Sequence, residues 1–199
     1  MIRVFSPNDR TFTSNGDAVI RPFKAKVHKE DNGKFYLNIE ADISYVDILT
    51  ANKIIVADTP QGAQAFRIKN PEKTKHKITF KAQHISYDAE NYVIADSYVV
   101  DKNCNDAMDH LNRDTDNPSP FQTYSDIAMV DSYRCVRTSL YDAFSTVLER
   151  WGGHFVRDNY RFGIMSTIGR DNGVTVRYKK NLKEMTNTRT NTNTTFRLS

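Results

Sequence analysis

The stretch Thr138-Ser139-Leu140-Tyr141-Asp142-Ala143-Phe144, continuing to Val147-Leu148-Glu149-Arg150-Trp151-Gly152-Gly153, decides the reading of this chain. Ser139 followed three residues later by Asp142 is a capping-box-like start, with the serine hydroxyl placed to accept from a first-turn amide. Leu140, Ala143, Phe144, Val147, Leu148 and Trp151 fall at the i, i+3, i+4, i+7 spacing of a one-faced helix. Gly152-Gly153 stops it, because glycine enters the left-handed conformation of a helix end at little steric cost. Beyond lie strand patterns over 154–157, 161–168 and 174–178, punctuated by Asp158-Asn159 and by the hairpin signal Asp171-Asn172-Gly173. The block 138–182 therefore reads as a helix laid on a small meander. Scaffold explains it without chemistry.

Working outward, the first hundred residues predict about six short strands at regular spacing. A strand at 1–5 is broken by Ser6-Pro7-Asn8-Asp9. Residues 18–29 read as strand, with Pro22 marking an edge or a bulge. Asp31-Asn32-Gly33 is a hairpin turn. The return strand puts Phe35, Leu37, Ile39, Ala41 and Ile43 on one face and Lys34, Tyr36, Asn38, Glu40 and Asp42 on the other. Residues 44–52 read as a short helix or turn. Strands follow at 53–57 and 64–69, and 77–86 pairs back across a lysine-rich turn. This is the pattern of an antiparallel barrel or sandwich. After Tyr87 a helix is predicted at 103–113 with Asn103 as cap, then a loop over 114–126, then a strand at 128–136. The second half is thus α+β. The last residues, 186–195, are nearly pure threonine and asparagine, and the chain stops on an apolar strand signal, which reads as an interrupted domain.

Composition narrows the class of function. The 199 residues hold 28 Lys and Arg against 24 Asp and Glu, a net charge of +4. Each half of the chain carries 14 basic and 12 acidic groups, so neither is a basic lobe of the kind that grips nucleic acid. One run stands out: Lys69, Lys73, Lys75, Lys77 and Lys81, relieved by Glu72. It reads either as a patch facing a polyanion or, more simply, as a solvated hairpin tip whose lysines deter edge pairing. No apolar run approaches the roughly 20 residues of a membrane helix. The N-terminus lacks a signal-peptide pattern, so synthesis in a cytosol is expected.

Catalytic constellations are missing from the sequence. His28, His76, His84, His110 and His154 include no i, i+4 pair. Cys104 and Cys135 share no CxxC spacing and read as small buried hydrophobes, without a disulfide. Cys135 with His154 is conceivable as a thiol–imidazole pair, but nothing local supports it. His84 is in phase with Ile78, Phe80 and Ala82 and reads as a structural core histidine. The pairs Asp106 and Asp109, and Asp114 and Asp116, read as solubilising carboxylates. Trp151 sits on an apolar helix stripe and reads as core, not as a sugar-stacking platform. The expectation is no catalytic, cofactor-binding or metal-binding residue in this chain.

Several segments resemble a known family. Ser139-Leu140 through Leu148-Glu149-Arg150-Trp151-Gly152-Gly153 and on to Arg157-Asp158-Asn159 resembles a recurring pattern of prophage tail proteins. So do Arg170-Asp171-Asn172-Gly173-Val174 with Arg177-Tyr178-Lys179-Lys180-Asn181-Leu182, the strand Ala65-Phe66-Arg67-Ile68, and Gln83-His84-Ile85-Ser86-Tyr87-Asp88. Phe196-Arg197-Leu198-Ser199 is similar to the start of a further strand of the pattern, and Lys179 stands where the family often has glycine. The chain resembles the N-terminal baseplate-hub, or tail-tip, region of the siphophage tail-associated lysin family, also called prophage endopeptidase tail proteins, of phages of Gram-positive hosts. The resemblance implies a β-rich α+β fold: a tube-like antiparallel β-barrel or sandwich over 1–100, an inserted α+β domain over 101–182, and a strand over 183–199 returning to the first domain before the chain is truncated. It implies a structural homotrimer in the virion at the tail tip, assembled in the host cytoplasm. Its implied partners are the distal tail protein and the tape measure protein, with transient DNA passage and no cofactor. Any hydrolase would lie C-terminal to this region. The competing expectations are a peptidoglycan hydrolase and a receptor- or carbohydrate-binding module.

Overall fold

Three residues, Arg21, Pro22 and Phe23, join the two outermost strands of a seven-stranded antiparallel sheet, and this short link sets the sheet's curvature. The computed structural model describes residues 1–169. Its sheet contains β1 (Ile2–Phe5), β2 (Ala18–Ile20), β3 (Lys24–Lys29), β4 (Phe35–Asp42), β5 (Ile54–Thr59), β6 (Gly62–Lys73) and β7 (Lys77–His84). They lie in the order β2-β1-β5-β6-β7-β4-β3. Laid flat at ~4.8 Å per strand, the edges would stand about 29 Å apart. The four residue steps from Ile20 to Lys24 reach at most about 14 Å. The sheet must curl. It does not close by hydrogen bonds, since β2 and β3 are not neighbours in the ladder. Pro22, which has no amide proton, stands at that open seam. The strand expected over 18–29 is therefore two strands on opposite edges, separated where proline cannot continue a ladder.

The curl creates two cores. On its inside, Ile2, Val4, Ile20, Phe35, Leu37, Ile39, Ile55, Phe66, Ile68 and Ala82 are buried together. In β4 the buried positions alternate as the sequence predicts, except that Ile43 has left the strand for a one-turn 3-10 segment, Ile43–Tyr45. On the outside of β1, β5 and β6, Phe5, Ile54, Val56 and Ala65 belong to a second core shared with the remaining elements. That is why β5 is apolar on both faces.

The second layer contains a 3-10 segment, Ile85–Asn91, and β8 (Val93–Asn103), α1 (Cys104–Arg113), β9 (Gln122–Ser125), β10 (Val130–Ser139), α2 (Leu140–Trp151), β11 (His154–Asp158) and β12 (Arg161–Met165). Both helices carry their expected caps. Asn103 Oδ1 accepts from the Asp106 amide at 2.9 Å, and Ser139 Oγ from the Asp142 amide at 3.1 Å. Gly152, at φ 76°, closes α2 by donating to the Leu148 carbonyl at 2.9 Å. Two strands differ from expectation. β8 gives no clean alternation, its buried positions being Ile94, Ser97 and Val99, and its ribbon with β10 carries a register shift between Asp131 and Tyr133. Position 100, read from sequence as a boundary, falls inside it. β9 lies within the expected loop 114–126. Its residues Gln122, Thr123, Tyr124 and Ser125 offer no apolar signal, yet they pair in parallel with β12.

Contacts group Met1–Ile168 as one compact unit. The strand expected at 174–178 and the terminal strand over 183–199 lie outside the described residues. Among the described residues no helix is long and apolar enough to cross a membrane.

Phe162 centres the second core, with ring centroids 5.0 Å from Phe144 and 5.1 Å from Phe155, and Tyr141 and Phe121 beyond. Phe162→Ala is expected to cost about 3–5 kcal/mol, a transfer loss plus a cavity. At about 2–4 °C per kcal/mol for a chain of this size, thermal melting followed by circular dichroism reads the loss directly. An unchanged midpoint would show that this ring cluster does not hold the layer.

Candidate functional site

Among the described residues, the resemblance segments 65–68, 83–88 and 153–159 meet at one place, where the second layer lands on the curled sheet. The contact is built from side-chain amides. Asn32 and Asn159 both adopt the left-handed conformation, φ 49° and 52°, which asparagine tolerates better than most residues. Asn32 Oδ1 accepts from the Phe155 amide at 2.7 Å while its Nδ2 donates to the Gly153 carbonyl at 3.1 Å. Asn159 does the same to the sheet: Oδ1 accepts from the Ala65 amide at 2.8 Å and Nδ2 donates to the Ala63 carbonyl at 3.1 Å. Each amide thus fills the place that the peptide of a neighbouring strand would occupy. The β3–β4 turn grips β11, and the β11–β12 turn grips β6.

A buried polar chain runs alongside. Gln64 Nε2 donates to Asp158 Oδ1 at 2.9 Å, and Gln64 Oε1 accepts from the Asn159 amide at 3.2 Å. The same oxygen faces His84 Nε2 at 3.0 Å. His84 Nδ1 accepts from the Ser86 amide at 3.2 Å, capping the 3-10 segment, so the ring proton sits on Nε2 and is donated to Gln64. His84 is fully buried, as its phase in the strand predicts. Burial first, then the charges of Arg157 and Lys29, hold its pKa well below the usual imidazole value. It is a neutral structural ring.

Arg157 is the largest fully buried side chain, and no carboxylate pairs with it among the described residues. Its guanidinium carbon lies 5.6 Å from the Phe35 ring centroid, 5.7 Å from Tyr87 and 5.9 Å from Phe155. Nη2 donates to the Gly33 carbonyl at 2.7 Å. A weakly hydrated, planar cation suits such an aromatic cage where an ammonium would not. Arg67 forms a half-buried two-pronged pair with Asp88, linking the 65–68 and 83–88 segments.

The chemistry-bearing residues singled out in the sequence are spent elsewhere. His154 Nδ1 pairs with Asp31 Oδ2 at 2.8 Å, whereas Cys135 is buried in β10. They take different partners. Both cysteines are free thiols. Asp106 bonds to the cap residue Asn103, and Asp109 to Thr123. Asp114 accepts from Ser97 Oγ at 2.5 Å and lies 3.2 Å from His110 Nε2. Trp151 is buried and donates Nε1–H to the Lys102 carbonyl at 3.1 Å, which removes its face from a sugar. Among the described residues no three His, Cys, Asp or Glu side chains cluster as a metal site. Lys75 alone of the five-lysine run stands in the β6–β7 turn; Lys69 and Lys81 lie in the body of the sheet. Sequence reasoning named Arg157-Asp158-Asn159 but missed Gln64, which bonds to Asp158 and Asn159, and Asn32, which holds Gly153 and Phe155. The glycine-adjacent Asn32 was the available signal.

A hydroxyl–imidazole contact in this joint, Ser86 Oγ to His84 Nδ1 at 2.9 Å, is fully buried, and the open groove of about 530 Å³ beside the joint is lined by Ala63, Asp158, Asn159, Tyr160 and Arg161. What the joint does is hold two layers in register.

No protein-family model and no curated protein matches the chain. Solved structures do. The prophage tail protein gp18 from Listeria monocytogenes EGD-e superposes with a TM-score of 0.69 over 92% of this chain and 56% of its own, at 14% identity. The fold is similar to that of this prophage tail protein. The 43 kDa tail protein of prophage MuSo2 from Shewanella oneidensis matches with a TM-score of 0.53 over 76% of this chain and 52% of its own, at 10% identity. The tail protein from Neisseria meningitidis MC58 matches at 0.50 over 66% and 41%, at 8% identity. The chain spans about half the length of these proteins.

Two outcomes test the joint. Asn159→Gly keeps the left-handed backbone but strips the bonds to Ala63 and Ala65, and is expected to lose about 2 kcal/mol in urea unfolding. A loss below a few tenths would make the amide grip ornamental. Because His84 is a base whose folded pKa is lowered, its contribution is complete above its unfolded pKa of about 6.5. It is lost as pH falls from there toward the folded value, with a limiting slope of about 1.4 kcal/mol per pH unit. Melting temperatures between pH 7 and 5 should fall more steeply for the wild type than for His84→Gln; parallel curves would contradict the neutral-ring assignment.

Proposed function

We propose that this chain is a structural hub protein at the tip of a siphophage or prophage tail, corresponding to the N-terminal hub region of the tail-associated lysin family. In this reading three copies form a ring that joins the tail tube, together with the distal tail protein and the tape measure protein, and closes its end until DNA passes. The protein resides in the virion after assembly in the host cytoplasm. The observation that carries the reading is the superposition on prophage tail protein gp18 over 92% of the chain. It is reinforced by the use made of the resemblance segments: Arg67, His84, Asp88, Arg157, Asp158 and Asn159 all serve the joint between layers, as architecture requires. The reading assigns no catalysis to this chain.

Multi-angle light scattering across a concentration series tests it. A trimer is expected, seen as three-fold rings by negative-stain microscopy. A monomer at every concentration, for this chain and for one extended by a further domain, would overturn the hub assignment. Clearing of a cell-wall zymogram by the purified chain would overturn the non-catalytic reading.

A further inference from the structure

The outer face of β3, β4, β7 and β6 carries a feature that neither the joint nor the tail fold explains. The ladder register sets Lys26 opposite Asn38, Asn38 opposite Lys81, and Lys81 opposite Lys69. All four side chains are exposed on the face opposite the inner core, because their neighbours Leu37, Ile39, Phe80, Ala82 and Ile68 point inward. Three lysines therefore form one row across four strands, about 14 Å long at three interstrand steps. Lys69 and Lys81 are directly opposed like charges, an arrangement that disfavours a sheet. Among the described residues none of the three is ion-paired. The nearby Glu40 is held by Lys77 at 3.0 Å. Lys81 Nζ lies 3.9 Å from the Tyr36 ring centroid, which orients the ammonium over the face. The row crosses an open groove of about 770 Å³, whose adjoining row runs Lys24, Glu40, Thr79 and Glu72 across the same four strands.

We propose that this lysine row binds the phosphate backbone of nucleic acid, without sequence preference. The repulsion between Lys69 and Lys81 is the cost of a site that a polyanion relieves. The row matches about four base steps of a duplex strand at 3.4 Å each. Lysine as the only cation of the row supplies point charges, which serve phosphate neutralisation. The centre of a protein–protein contact would instead be depleted in lysine and rich in aromatic anchors, so an acidic protein surface fits less well. Edge defence explains Lys26 on the outermost strand. It does not explain Lys81 and Lys69, which lie on interior strands. The inference rests on sheet register and stands whether or not the chain forms a tail-tip ring.

The test is fluorescence anisotropy of the 199-residue chain with a short fluorescein-labelled duplex of random sequence, titrated over a range of salt. Binding in the weak non-specific range of about 10⁻⁴–10⁻⁶ M is expected, with log K falling against log salt at a slope of about −2.7 for three phosphate contacts. The triple variant Lys26→Gln, Lys69→Gln, Lys81→Gln should bind at least about tenfold more weakly and lose most of that slope. It should melt at or above the wild-type temperature, since the like-charge contact is gone. The corresponding triple Lys→Arg variant keeps binding. So does a control that removes the same charge elsewhere, Lys34→Gln, Lys102→Gln, Arg113→Gln. The proposal is overturned by an absence of duplex binding at low salt, by equal weakening in the control, by loss of binding in the arginine variant, by a lower melting temperature in the glutamine variant, or by tighter binding of polyglutamate than of the duplex.

Discussion

The constraint on which this structure depends is a distance: three residues cannot bridge the edges of a flat seven-stranded sheet. With β2 and β3 on opposite edges and only Arg21, Pro22 and Phe23 between them, the sheet has to curl until its borders approach. Curling gives the sheet an inside, where side chains from all seven strands pack without a second sheet to cover them. It also leaves the outer face of β1, β5 and β6 apolar, at Phe5, Ile54, Val56 and Ala65, and so in need of a lid. The helices and ribbons after Tyr87 supply that lid. The second layer follows from the first.

A lid held by apolar contact alone could slide, because hydrophobic burial is non-directional. The paired asparagines remove that freedom. Asn32 reaches from the sheet to β11 and Asn159 from the β11–β12 turn to β6, so the grip runs in both directions. Each one satisfies a backbone donor and a backbone acceptor with fixed geometry, which apolar packing cannot do. Gln64, His84 and Asp158 fill the remaining polar needs beside them, and Arg157 places a cation among three rings instead of beside a carboxylate. The result is a polar seam whose members are almost all satisfied; only Arg157 Nε lacks a partner among the described residues. Residues that look like chemistry in a one-dimensional reading, a histidine, an arginine and an aspartate near one another, are here the fasteners of an interlayer joint.

Charge is distributed by the same division of faces. Where the sheet is lidded, its cations are caged or paired, as with Arg157 and Arg67. Where it is bare, on β3, β4, β7 and β6, lysines face solvent and one another. The two faces therefore present opposite demands: one excludes water and fixes nearly every donor, the other leaves charge available to a partner.

Local sequence determined what depends on neighbours within a few residues. The extent of α2, its Ser139 cap and Gly152 stop, the alternation of Phe35, Leu37, Ile39 and Ala41, the inward phase of His84 and the burial of Trp151 were all legible. These follow from periodicity and capping, which are properties of one element at a time. Tertiary structure alone decided the rest: the division of 18–29 between two sheet edges, the parallel pairing of the polar strand β9, the irregular β8, the meeting of Asn32 with Phe155, and the alignment of Lys26 with Lys81 and Lys69. Each is a pairing between residues distant in the chain. Periodicity says which side of a strand is buried, but carries no information about which strand stands beside it or in what register.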